Sequence, residues 1–134
     1  MKVFVYGTLK KGYGNNRLLS EQTFIGEGYT GGFYDMINSG FPVLVPNDNG
    51  MVVKGEVWEV DTKIEDTLDN LDALEGEGVM YDRREVKVKM ANSDDWVTCW
   101  IYIGNPKYWG RRMSDSNVTD ARYIKEGYLE WTRT

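Results

Sequence analysis

The apolar residues of this chain change period once, and that change bounds the folds open to it. From Ile64 onward they fall at Ile64, Leu68, Leu71 and Leu74, spacings of four, three and three that predict an amphipathic helix. Thr62 with Glu65 has the form of a capping box at its start, and Gly76 is a stop signal at its end. Elsewhere the pattern is of strands. "KVFVY" is short, β-branched and aromatic, and Gly7 ends it. "TFIGEGYTGGFY" carries strand residues broken by four glycines, as in a bent barrel strand. "SGFPVLVPNDNG" is a short apolar run in which Pro42 and Pro46 forbid a long central strand. "MVVKGEVWEV" is a further strand. "REVKVKM" and "WVTCWIYI" form an antiparallel hairpin about the turn "ANSDD". Residues 10–22 read as a loop leading to a short helix near "NRLLSEQ", and the tail holds a second short helix near "VTDARYIKEGYLEW". No repeat, linker or break in composition divides residues 1–134. Strands on both sides of one helix give a single α+β domain, a small closed or nearly closed β-barrel.

At 134 residues the chain can bury a real core. Its net charge of −5 argues against nucleic acid or an anionic membrane surface as partner, since both reward clustered Lys and Arg. No N-terminal apolar run has the length of a signal peptide or a membrane span. The single cysteine, Cys99, leaves no intrachain disulfide, so a cytoplasmic location is expected. With no histidine there is no Ser-His-Asp or Cys-His machinery, and no metal site is expected. Acid–base chemistry would fall to a carboxylate, a lysine or a tyrosine. Nine Tyr, five Trp and four Phe favour a pocket walled by rings.

On a wheel at about 100° per residue with Ile64 at zero, Leu68, Leu71 and Leu74 sit near 40°, −20° and −80°. Glu65, Asp66, Asp69 and Asp72 fall between roughly 80° and 200°, on the solvent side. Glu75 lies at about 20°, inside the apolar stripe. Burial and the negative end of the helix dipole both disfavour an ionised carboxylate there, which raises its pKa toward the range of a general acid–base group. The competing expectation is that the helix frays at Gly76 and Glu75 turns to water.

Tyr6, Tyr81 and Trp100 read as core or pocket wall, and Cys99 as a small core residue between Thr98 and Trp100. Glu77 beside Glu75 makes no working acid pair, because residues two apart at a helix end do not face each other. "GTLKKGYG" lacks the spacing and the Lys-Ser/Thr ending of a phosphate-binding P-loop. Lys10 and Lys11 are expected to be solvated loop charges.

Several of these stretches, taken in order, resemble the γ-glutamylcyclotransferase-like (AIG2-like, γ-glutamylamine cyclotransferase) family. The likeness rests on the strand entering "YGTLKKG" with Asn15 or Asn16 soon after, on "SGFPVLVP", and on "VVKGEVWEV". It continues with the helix ending Leu71–Gly76, with Tyr81-Asp82-Arg83, with Trp100-Ile101-Tyr102, and more faintly with "IKEGYLEW". The resemblance implies a mixed barrel with flanking helices and a cavity at one mouth. The implied activity, without a cofactor, is attack of a γ-glutamyl α-amine on its own side-chain amide, releasing an amine and forming 5-oxoproline. It assigns proton transfer to Glu75 and puts the substrate's α-carboxylate and amine region against the backbone of Tyr6, Gly7, Thr8 and Leu9. Tyr81 is a further candidate contact, either as hydrogen-bond donor or as pocket wall. The implied partner is a small γ-glutamyl compound. A non-catalytic small-molecule binding module of the same fold is the alternative, and neither the leaving group nor the oligomeric state can be read from the sequence.

Overall fold

The computed structural model describes residues 1–38, 41–76, 78, 80–105, 107–108 and 119–132, Glu75 by its backbone alone. Five strands close into a barrel in the order β1 (Lys2–Val5), β5 (Lys54–Glu59), β2 (Thr23–Thr30), β6 (Tyr81–Met90) and β7 (Trp96–Gly104). Every neighbouring pair is antiparallel except β7 and β1, which close the ring in parallel at Val3 and Trp100, so the barrel is mixed. A separate hairpin, β3 (Tyr34–Asn38) with β4 (Pro42–Pro46), packs against it, and α1 (Ile64–Glu75) lies outside the wall. Both prolines stand at the ends of β4, where a two-stranded sheet tolerates their missing N–H.

The pleat divides the apolar residues between two cores. Phe4, Val57, Val88, Cys99 and Ile101 fill the barrel together with Met36 and Leu44 of the hairpin. Their chain neighbours Val3, Val5, Trp58 and Tyr102 point to the other face, where they meet Ile37, Val43 and Leu71 of α1. Strand β1 is therefore apolar on both faces, which explains its unbroken "VFV". The barrel is narrow, and it closes where strands carry glycine. A Cβ on Gly55 would lie 2.5 Å from the Val5 carbonyl oxygen and 2.6 Å from Phe4 Cζ; one on Gly28 would meet Val88 at 2.6 Å.

The helix starts differently from the sequence expectation. Lys63, not Thr62, is the N-cap, in left-handed backbone (φ +49°) with no side-chain cap. The capping box is replaced by Gln22, whose Oε1 accepts from the amides of Asp61 and Thr62 (3.0 and 3.1 Å) and whose Nε2 donates to the Thr62 carbonyl (2.7 Å). Gly76 ends the helix in left-handed backbone as expected. Among the described side chains of the helix only Thr67 and Leu71 are buried, whereas Ile64 and Leu74 are each 40% exposed. Asp72, expected on the solvent side, is 27% exposed and hydrogen-bonded to the barrel.

The short helix near "NRLLSEQ" is a 3-10 turn over Gly14–Leu19, and that of the tail is a 3-10 turn over Ala121–Tyr123. Beyond it, Leu129 bridges Val53 in parallel, extending the sheet edge. Trp131 packs on Tyr13, ring centroids 5.1 Å apart. The expectation that Lys10 is a solvated charge is corrected here. Its Nζ donates to the Trp131 carbonyl at 2.7 Å and the residue is 7% exposed. Lys11 is exposed, and its ammonium sits over the Phe24 ring. Most of "KYWGRRMSDSN" lies outside the described residues.

Two outcomes are expected. Gly55→Ala destabilises the fold by about 1–3 kcal/mol, because backbone cannot yield cheaply to the new methyl; urea unfolding monitored by tryptophan fluorescence measures it. The second concerns Lys10. Burial pulls its ammonium below the usual lysine range, against the pull of Glu130 and Glu56. The unfolded chain then binds the proton more tightly, so stability rises with pH between the lowered folded value and 10.5. Wild type should gain melting temperature relative to Lys10→Met as pH rises through that window, and parallel Tm–pH curves would contradict this.

Candidate active site at the mouth of the barrel

β1 leaves the barrel at Val5 and breaks into a loop over Tyr6–Leu9, and a cavity of about 350 Å³ opens beside it. Its walls are Phe4, Val5 and the loop, with Asn15, Phe41, Pro42, Leu74, Met80, Tyr81 and Tyr102. The five residues expected to hold substrate, Tyr6, Gly7, Thr8, Leu9 and Tyr81, thus come together in one cavity. Glu75 closes α1 directly after the wall residue Leu74; its side chain, like the whole of Glu77, lies outside the described residues.

The loop is held by its carbonyls. The Gly7 oxygen accepts from the Lys10 amide (3.1 Å) and the Thr8 oxygen from the Asn15 amide (3.2 Å). The Leu9 oxygen accepts from Asn16 Nδ2 (2.7 Å), and Asn15 Nδ2 donates to the Thr8 hydroxyl (2.8 Å). The amides of Gly7, Thr8 and Leu9 donate to no other described residue. Three successive residues on the cavity wall thus have engaged carbonyls and N–H groups with no described acceptor, the kind of backbone that can take an anion. Both Asn15 and Asn16 serve this loop, so either reading of the motif's asparagine has a counterpart here.

Gly7 is required for a reason the sequence did not show: a Cβ there would stand 2.7 Å from Pro42 Cγ. The loop and β4 are that close. Tyr81, 3% exposed, donates its hydroxyl to the Pro42 carbonyl at 2.9 Å and ties β6 to β4 beneath the cavity. The Tyr6 hydroxyl donates to the Tyr102 carbonyl. Trp100 is half-buried away from the cavity wall, under the Arg83 guanidinium. Cys99 is buried in the barrel core, and burial pushes its thiol up to about 11, which suits a packing residue and not a nucleophile. Among the described residues no group of three or more Cys, Asp or Glu is placed to hold a metal ion, and no helix is long and apolar enough to cross a membrane.

The wall residues that sequence reasoning did not single out are mainly apolar. Phe41 and Pro42 stood inside "SGFPVLVP" with no site contact expected, Pro42 only as a limit on strand length. Leu74 and Met80 flank the helix end; Leu74 was placed only on the apolar stripe of the helix, and Met80 had no signal beyond its proximity to Glu75. The loop–β4 contact gives a direct check. Gly7→Ala should destabilise by about 1–3 kcal/mol, and Pro42→Ala, which removes the clashing ring carbons, should recover part of that in the double variant. Strict additivity in urea titrations would show that the two residues do not meet.

Comparisons with known proteins point one way. A family described as gamma-glutamyl cyclotransferase, AIG2-like, matches residues 3–130. A Methanocaldococcus jannaschii protein that bears the gamma-glutamylcyclotransferase name provisionally is 39% identical over 121 residues, 90% of this chain and 97% of its own. The gamma-glutamylaminecyclotransferase of Rattus norvegicus is 34% identical over 115 residues, covering 75% of each chain. The crystal structure of an AIG2-like protein from Mus musculus superposes with a TM-score of 0.68 at 27% identity, over 98% of this chain and 95% of that one. A barrel with a glycine-broken first strand, an external helix ending at the cavity, and these likenesses in sequence and structure agree: the chain belongs to the gamma-glutamyl cyclotransferase, AIG2-like family.

Proposed function

We propose that this protein is a γ-glutamyl cyclotransferase that releases an amine from a small γ-glutamyl amide and forms 5-oxoproline. The observation that carries the reading is the row of amides at Gly7, Thr8 and Leu9, engaged by no described residue, on the wall of a cavity that α1 reaches with its C-terminal turn. Family membership supports it, as does the name of the rat relative.

In this reading the amides from Gly7 to Leu9 hold the substrate's α-carboxylate, and Tyr6 and Tyr81 wall the glutamyl portion. The α-ammonium is no nucleophile until it loses a proton, and Glu75 takes it. The freed amine nitrogen forms a bond to the γ-carbonyl carbon, giving a tetrahedral oxyanion. Its collapse breaks the amide C–N bond; the second proton of the ring nitrogen and the one held by Glu75 pass to the departing nitrogen, which leaves as an ammonium while the ring closes as the neutral lactam and Glu75 is restored as a carboxylate. No water is consumed and no electron is transferred. Ring closure is already intramolecular, so what the protein adds is orientation, proton transfer and fixed dipoles. No cofactor enters this scheme, and a cytoplasmic setting belongs to the same proposal.

The test is mass-spectrometric detection of 5-oxoproline from a panel of γ-glutamyl-alanine, ε-(γ-glutamyl)-lysine, γ-glutamyl-n-butylamide and glutathione. At least one should be turned over, with kcat reduced on the order of 10²-fold or more in Glu75→Gln at unchanged Tm. Full activity in a folded Glu75→Gln protein would remove Glu75 from the reaction. Release of free glutamate in place of 5-oxoproline would mean hydrolysis.

A further inference from the structure

We propose that Asp72 and the Tyr102 hydroxyl form a latch that sets the position of the last turn of α1 against the cavity, and through it the position of Glu75. The inference rests on the reading of Glu75 as proton carrier. It begins with how weakly apolar packing defines this helix. Leu71 is fully buried and Leu68 half-buried, but Ile64 and Leu74, at the two ends, are each 40% exposed. One buried leucine near the middle fixes the distance of a helix from its support better than its rotation or its axial slide.

Asp72 supplies what is missing. One turn before Glu75, it accepts the Tyr102 hydroxyl at 2.6 Å on Oδ1 and the Arg83 guanidinium at 3.3 and 3.1 Å on its two oxygens. Arg83 and Tyr102 are direct register partners on β6 and β7, so a single carboxylate on α1 is gripped by a cross-strand pair of the barrel. Arg83 is steadied in turn by the Trp100 ring, 5.3 Å away. Tyr102 is 3% exposed, and hydrogen bonds to a charged partner are stronger than ordinary ones. The same Tyr102 accepts the Tyr6 hydroxyl on its carbonyl oxygen. One residue of β7 therefore holds the helix turn through its side chain and the binding loop through its backbone. Tyr6 and Tyr102 are both wall residues of the cavity, whereas Asp72 is not, so the Asp72 variants test the latch without touching the wall and Tyr102→Phe tests it from the wall side.

The experiment uses the full chain and the panel member that wild type turns over fastest, with Tyr102→Phe, Asp72→Ala, Asp72→Asn and the Asp72→Ala/Tyr102→Phe double variant. Tyr102→Phe and Asp72→Ala should each lower kcat on the order of ten-fold with KM within about two-fold, since misplacement of a reacting group acts on the chemical step. Asp72→Asn still accepts the hydroxyl and should keep most of the activity. The double variant should be no worse than either single one. Amide hydrogen exchange at Ala73–Gly76 should quicken in Tyr102→Phe and in Asp72→Ala. Wild-type kcat and exchange in Tyr102→Phe would overturn the latch, as would a loss that follows Tm alone across the set. Glu75→Gln keeps the two ideas apart: an inactive Glu75→Gln beside fully active latch variants sinks the latch and leaves the cyclotransferase reading intact. If wild type converts no panel member, that reading fails, and the exchange rates still decide whether the latch exists.

Discussion

Strand β1 has water on neither face, and the rest of the structure is arranged around that fact. Four residues long, it pairs with β5 on one side and with β7 on the other, and it supplies apolar side chains to both cores. Such a strand has almost no freedom of register, because a slip of one residue would exchange Phe4 with Val3 and Val5 between two filled spaces. The point at which it stops is therefore fixed to within a fraction of a residue length. That is what the loop after Val5 requires, since amides can be placed for a ligand only if the chain entering them is immobile.

The loop uses this rigidity economically. Its carbonyls are engaged by its own neighbours, Lys10, Asn15 and Asn16, and its glycine lies against Pro42 with no room for a methyl group. The opposite side of the cavity is built on another principle. There a helix with a narrow buried stripe is gripped by polar contacts to two barrel strands, and its final turn ends at the glycine that lets the chain reverse toward β6. Tyr102 touches both parts, its hydroxyl on Asp72 of α1 and its carbonyl on the Tyr6 hydroxyl.

Much of this could be read in the sequence. The helix over Ile64–Glu75, its stop at Gly76, the β6–β7 hairpin and the barrel all followed from periodicity and glycine placement, which are local signals. The sequence alone marked the end of the first strand at Gly7, and the resemblance supplied the role expected of Tyr6–Leu9. What could not be read depended on contacts between distant segments. Asp72 sits at an azimuth that belongs to solvent on an isolated helix, and only Arg83 and Tyr102 make it an inward group. Lys10 resembled any loop lysine, since the carbonyl that receives it is 121 residues away. The capping box failed for the same reason: Gln22, forty residues earlier, offers the amides before α1 a better partner than Thr62 does.

The Lys10–Trp131 bond also orders events in time. The loop over Tyr6–Leu9 is followed at once by Lys10, whose partner is a carbonyl 121 residues further along. Contacts of such sequence separation form late, because the intervening chain must first be folded. The cavity loop can reach its final form only after the barrel has closed and the C-terminal segment has docked on β5. A chain made only as far as β7 then holds the residues of the cavity loop without their final arrangement.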